Sequence, residues 1–196
     1  MAVTHLKGNP VNTSGDLPAA GSPAPDFSLT RTDLTDVVLD DFRGKKVVLN
    51  IFPSVDTPVC SASVRRFNAE VAGMENTVVL CVSRDLPFAH KRFCEAEGLD
   101  DVIPLSEMRR HRFGDAYGVT LTDGPLAGLL ARAVVVIDEG GGVVDAHLVP
   151  EIGEEPDYSR VLALLSAGQD VNVCTASATA EHSRGFDEDD PCDDGR

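Results

Sequence analysis

No tryptophan occurs in this chain, only 5% of its residues are aromatic, and 17 Lys and Arg face 32 Asp and Glu. The resulting net charge of -15 argues against nucleic acid, whose phosphates need basic side chains, and against anionic membrane surfaces. No stretch approaches the ~20 apolar residues of a membrane span. The first residues lack the basic start and apolar run of a signal peptide. Several catalytic signatures are missing too. There is no C-x-x-C, no glycine loop followed by Lys-Ser/Thr and no Gly-x-Ser-x-Gly. His5, His90, His111, His147 and His182 are scattered. His90 and Cys94 lie one turn apart, but nothing completes a ligand set, so no metal centre is expected. Five cysteines are an odd number without the spacing of a disulfide framework. The chain is expected to be cytoplasmic, where such thiols are redox-active, metal-binding or buried.

What is present is enough for a core. Hydrophobic residues make up 42% of 196 positions, which fits one domain, placed here over residues 1–167. From Gly168 the composition turns to Ala, Ser, Thr and Asp, ending in the acidic run Asp187-Glu188-Asp189-Asp190. Residues 168–196 are expected to be a disordered acidic tail, too polar to bury a core of their own.

Along the domain, Val3–Leu6 and Val11–Thr13 around Gly8-Asn9-Pro10 predict an N-terminal β-hairpin. Phe27–Thr30 and Val37–Leu39 are short strand candidates. Val47–Phe52 then begins an alternation: strand, helix over Pro58–Met74, strand over Thr77–Ser83, helix from Leu86 to about Glu97 closed by Gly98. Ser106–Tyr117 reads as a third helix. Ala133–Asp138 and Val143–Leu148 form a hairpin through Gly140-Gly141-Gly142, and Pro156–Ala167 is a last helix. Near-continuous Val/Ile/Leu runs suit strands buried on both faces. The expected fold is α/β and thioredoxin-like: a central mixed sheet flanked by helices, preceded by the hairpin.

The chemistry centres on Pro53-Ser54-Val55-Asp56-Thr57-Pro58-Val59-Cys60, the turn from strand to helix. Thr57 suits the N-cap and Pro58 the first helical position, where a missing N–H costs nothing. Cys60 then falls on the third helical residue, where unpaired N–H groups and the helix dipole favour a thiolate, the nucleophilic form. Cys60, Val64, Phe67 and Val71 share one face, so the sulfur heads the inward stripe. A buried structural cysteine is the alternative reading of the same pattern. Cys81 alternates within a buried strand and reads as structural. Cys174 and Cys192 lie in the tail and receive no role. Arg65 and Arg66 are read as surface.

Pro53-x-x-x-Thr57-x-x-Cys60 resembles the active-site motif of the peroxiredoxins. Asn50–Arg65, Leu86-Pro87-Phe88-Ala89 with Arg92-Phe93-Cys94, Ala131–Asp138 and Glu155-Pro156-Asp157-Tyr158 resemble one branch, the bacterial thiol peroxidases of the atypical two-cysteine kind. The likeness runs from about Val3 to Ala167. It implies a peroxidase acting on hydrogen peroxide and alkyl hydroperoxides, with Cys60 as peroxidatic cysteine and no prosthetic group. It also implies reduction by thioredoxin and a homodimer. Arg132, by spacing alone a solvated residue ahead of a strand, is placed by the resemblance beside the active sulfur. Thr57 would bond the thiolate or a peroxide oxygen, and Pro53 would shape the loop and keep water from the sulfur. Cys94, otherwise a core residue, becomes the candidate resolving cysteine that traps a Cys60 sulfenic acid as an intramolecular disulfide. It lies seven residues past Pro87, about 10 Å along its helix, so closing that disulfide is expected to require local unwinding. Two rival readings remain: a dithiol–disulfide oxidoreductase, against which the absent C-x-x-C speaks, and a non-catalytic redox-responsive binding protein.

Overall fold

The computed structural model describes residues 1–167; the expected tail lies outside the described residues. Strands β1 (Val3–Leu6) and β2 (Asn9–Asn12) form the N-terminal hairpin. Its turn is Lys7-Gly8, both at positive φ, one step earlier than Gly8-Asn9-Pro10 suggests. Primed two-residue turns match the twist of paired strands, so Pro10 falls within the strand instead.

The main sheet has seven strands: β3 (Ser28–Thr30), β4 (Asp36–Val38), β5 (Lys46–Ile51), β6 (Thr77–Ser83), β7 (Val102–Ser106), β8 (Ala133–Ile137) and β9 (Val143–Leu148). Their order is β4-β3-β7-β6-β5-β8-β9. β5, β6 and β7 run parallel, and the remaining pairings are antiparallel. Helices α1 (Pro58–Val71), α2 (Pro87–Glu97) and α4 (Tyr158–Ala167) complete the main frame. The mixed sheet flanked by helices is the thioredoxin-like architecture expected.

Two apolar clusters sandwich the sheet. On one face Val48, Phe52, Val79, Cys81, Val134 and Val136 meet Cys60, Val64, Phe67 and Val71 of α1 and Val161 and Leu165 of α4, with Phe93 of α2 against them. On the other, Val47, Leu49, Ile51, Leu80, Val82 and Val135 pack against Phe27, Phe113, Tyr117 and Leu130 from the connecting segments. β5, β6 and β8 are therefore buried on both faces, which is why their sequences run as Val, Leu and Ile without alternation.

One expectation is corrected. Ser106–Tyr117 is not a helix: Ser106 ends strand β7, and only Phe113–Ala116 makes a helical turn, α3. Glu107 holds the segment away from helix. Its carboxylate is fully buried, accepts from Arg84 Nε at 2.8 Å and from the Gly114 amide at 2.8 Å, and its own amide donates to Ser83. Pro104 is tolerated in β7 because β3 pairs with that strand only at Thr30–Ser106, so its missing N–H breaks no ladder there. Helix ends move by a residue or two elsewhere: α1 stops at Val71 rather than Met74, and α4 starts at Tyr158. Gly98 closes α2 at φ 64°, with its N–H donating to the Cys94 carbonyl, as a left-handed cap should.

Candidate active site

Because β5 and β6 are parallel, the chain leaves both strands at the same edge of the sheet, and α1 and α2 both begin there. Cys60 is the third residue of α1 and 0% exposed. Antiparallel pairing of β5 with β8 sets Ile51 opposite Ala133. The residue preceding β8, Arg132, thus arrives at the edge from which the Pro53–Cys60 stretch departs. It is 1% exposed, and its Nη2 donates to Cys60 Sγ at 3.2 Å. Nε donates to the Ile152 carbonyl at 2.9 Å, which aims the guanidinium, while the buried Nη1 has no partner. The guanidinium thus lies against the sulfur inside the core, with no solvent between them.

Beside these groups is a pocket of about 210 Å³. Leu6, Val59, Leu126, Leu129 and Ile152 give it apolar walls, and Pro53, Thr57 and Arg132 also line it. Pro53 is buried and Thr57 exposed. Thr57 occupies the N-cap with extended backbone, but its side chain does not cap the helix. Its hydroxyl donates to the Ser54 carbonyl at 3.1 Å instead. That commits the only hydroxyl proton, so the oxygen can serve the pocket only as an acceptor.

Cys94 is apart from this group. It sits half-buried late in α2, and Cys60, Cys81 and Cys94 are all free thiols. Burial, with a smaller contribution from Asp100, pushes the Cys94 thiol up to about 11. Burial pushes Cys81 up to about 12, opposed by an Asn50 amide 3.7 Å from its sulfur. Folding therefore favours the protonated form of both thiols. The stability this contributes is complete below the unfolded-state value of about 8.5 and is lost as pH rises through the folded values. The reduced protein should lose thermal stability between about pH 9 and pH 12, and Cys81→Ala should flatten that decline; a melting series against pH checks both.

Arg65 and Arg66 are exposed on α1, with Arg65 paired to Glu97 at 2.8 Å and lying over the Phe93 ring. His90 is buried against Ser83, and burial lowers its pKa. Among the described residues no three His, Cys, Asp or Glu side chains gather into a metal-ligating group, and no helix is long and apolar enough to cross a membrane. Sequence reasoning passed over Asp85, whose carboxylate accepts from Ser54 Oγ at 2.8 Å and from the Val55 amide at 2.7 Å. Its position two residues beyond a parallel strand, at the carboxyl edge where such sheets place their sites, was the available signal.

Residues 19–162 match the redoxin family model. The chain is 59% identical over 167 residues to the thiol peroxidase of Mycobacterium tuberculosis (strain H37Rv), covering 85% of this chain and all of the relative. It is 54% identical over 166 residues to that of Corynebacterium glutamicum, again covering 85% of this chain and all of the other. A crystal structure of a peroxiredoxin-like protein from Aquifex aeolicus superposes with a TM-score of 0.81 at 41% identity, covering 85% of this chain and 97% of that one. With a family match across most of its length and relatives this similar, the chain belongs to the redoxin family and, within it, to the thiol peroxidases.

Proposed function

We propose that this chain reduces hydroperoxides through a two-thiol cycle in which Cys60 is oxidised first and Cys94 closes a disulfide onto it. The carrying observation is the buried contact of Arg132 Nη2 with Cys60 Sγ, with Nη1 buried and unpartnered and Arg132 lining the apolar pocket. The Cys60 thiolate attacks the terminal oxygen of the hydroperoxide. An S–O bond forms, the O–O bond breaks, and the alkoxide or hydroxide that leaves takes a proton to become an alcohol or water. The guanidinium faces the charge that moves from sulfur to the leaving oxygen, where a preorganised donor contributes most. Thr57 Oγ1 offers an acceptor to the peroxide O–H, and Pro53 covers the inner wall. The Leu and Ile walls suit alkyl hydroperoxides as well as hydrogen peroxide. The two rival readings, an electron carrier or a non-catalytic sensor, call for neither the buried cation nor the pocket.

In the second step Cys94 attacks the sulfenic sulfur, an S–S bond forms and water leaves. A dithiol protein of the thioredoxin type then restores both thiols. Cys60 is enclosed at the start of α1, while Cys94 lies two turns into α2, so one of the two must open before the sulfurs can reach bonding geometry, with Cα atoms about 4.4–6.8 Å apart. α2 is short and ends at Gly98, so the larger movement is assigned to its end around Cys94. Three free thiols among the described residues suit a reducing, cytoplasmic setting. Leu86 and Phe88, 55% and 60% exposed at the start of α2, support a homodimer contact.

Intact-mass analysis after one equivalent of peroxide tests the cycle. The expected product has lost two hydrogens, with peptide mapping joining Cys60 to Cys94. A disulfide between any other pair would overturn it. We also read residues 1–167 as the whole peroxidase unit, since the mycobacterial relative aligns over its full length with 167 residues. Truncation after Gly168 should leave turnover and melting temperature unchanged, and a fall in either would assign the tail a part.

A further inference from the structure

Asp85 stands between the two halves of the proposed cycle. It follows β6 by two residues and precedes α2, the helix that carries Cys94. Its carboxylate reaches the opposite way, into the turn that leads to Cys60. Oδ1 accepts from Ser54 Oγ at 2.8 Å, and Oδ2 accepts from the Val55 amide at 2.7 Å and from Ser83 Oγ at 2.8 Å. The Ser83 hydroxyl has one proton and gives it to Asp85, so its contact with His90 Nε2 at 2.9 Å requires that nitrogen to donate. His90 belongs to α2, is buried, and sets its ring edge-on to Phe52, the residue before Pro53. The backbone joins in as well: the Asp85 amide donates to Ser83 Oγ at 3.1 Å, and its carbonyl accepts from Ser106 Oγ. A chain of hydrogen bonds thus runs from the α2 helix through Ser83 and Asp85 into residues 54–55. Outside it, the exposed pair Asp56–Arg92 at 3.0 Å bridges the same two segments.

Resting on the assignment of Cys60 and Cys94 above, we propose that Asp85 is a positioning residue that holds the Pro53–Thr57 turn in its peroxide-reactive form, and that this brace must release for the disulfide to close. The physical basis is the concentration of donors on one carboxylate. Three charge-assisted hydrogen bonds converge there, two of them from consecutive residues of the turn, and bonds to ionised groups are the stronger kind. While they hold, Thr57 and the first turn of α1 stay in register with Arg132. When they break, the exposed Asp56–Arg92 pair is left to tie the turn to α2, and either segment can move toward the other.

The brace therefore acts on the two chemical steps in opposite directions, which a residue serving stability alone would not do. In Asp85→Asn one carboxylate oxygen becomes an amide that cannot accept, so at least one of the three donors loses its partner. Oxidation of Cys60 by peroxide should slow by about tenfold, the size set by one charge-assisted hydrogen bond, while closure of the Cys60–Cys94 disulfide should speed up severalfold. The chain has no tryptophan to report either step by fluorescence, so both are followed by rapid quench, alkylation and intact mass. Ser54→Ala removes a single donor from a half-buried position and should give the same split at smaller amplitude, which covers the case in which Asp85→Asn does not fold. Parallel slowing of both steps, or unchanged rates in both variants, would overturn the proposal. Failure of the underlying assignment shows separately, as a wild-type chain whose Cys60 is left unmodified by peroxide.

Discussion

Cys60→Ser should abolish peroxide consumption while leaving the fold in place. The proposed reaction needs a thiolate nucleophile, and a serine hydroxyl in the same position has no comparable anion at neutral pH. The rate with saturating reductant is expected to fall by about three orders of magnitude or more. The fold has little reason to respond. The substitution changes one atom on the third residue of α1, and the Ser63 hydroxyl bond to the carbonyl of residue 60, at 2.9 Å, is untouched. Arg132 Nη2, 3.2 Å from the sulfur, can donate to the new hydroxyl, so that guanidinium nitrogen keeps a partner. A melting temperature within a few degrees of the parent corresponds to a change of about 1 kcal/mol in a domain of this size. Peroxide consumption by this variant with reductant supplied would remove Cys60 from the role of nucleophile.

Arg132→Met should cost about 10²–10³ in the rate of Cys60 oxidation, the scale seen when one preorganised donor to a developing charge is lost. Stability should change far less, because two effects oppose each other. The Ile152 carbonyl loses its donor, which costs about 1–3 kcal/mol if that oxygen stays buried. Against this, a fully buried guanidinium with one unpartnered nitrogen no longer has to be desolvated. Arg132→Lys keeps the charge but cannot bond Ile152 and the sulfur with one planar fork, so it should fall between methionine and the parent. Comparing the second-order oxidation rates and the melting curves of the three proteins separates the effects. An unchanged rate in Arg132→Met would place the cation elsewhere.

The β7 segment shows where local pattern misleads. Residues 106–117 read locally as a helix, yet Glu107 is drawn into a buried bond with Arg84, 23 residues earlier. No periodicity within residues 106–117 reports on Arg84. The short run Val102-Ile103-Pro104-Leu105-Ser106 also conceals its strand, since a proline counts against one unless a neighbouring ladder leaves its N–H side unpaired.

Local chemistry alone determined the strand, turn and helix around Cys60, the thiol's place in the first turn, the inward stripe of Val64, Phe67 and Val71, and the cap at Gly98. Each depends on residues within one or two turns of each other, whose sterics and hydrogen bonding the sequence states directly. The partners of that thiol were decided only by the sheet. Arg132, 72 residues away, meets Cys60 because antiparallel pairing sets Ala133 opposite Ile51. Asp85 reaches Ser54 and Val55 because parallel pairing sets Val82 beside Ile51. A one-residue slip in either register would turn every side chain of that strand to the other face. Register follows from how the whole core packs, so no short stretch of sequence contains it.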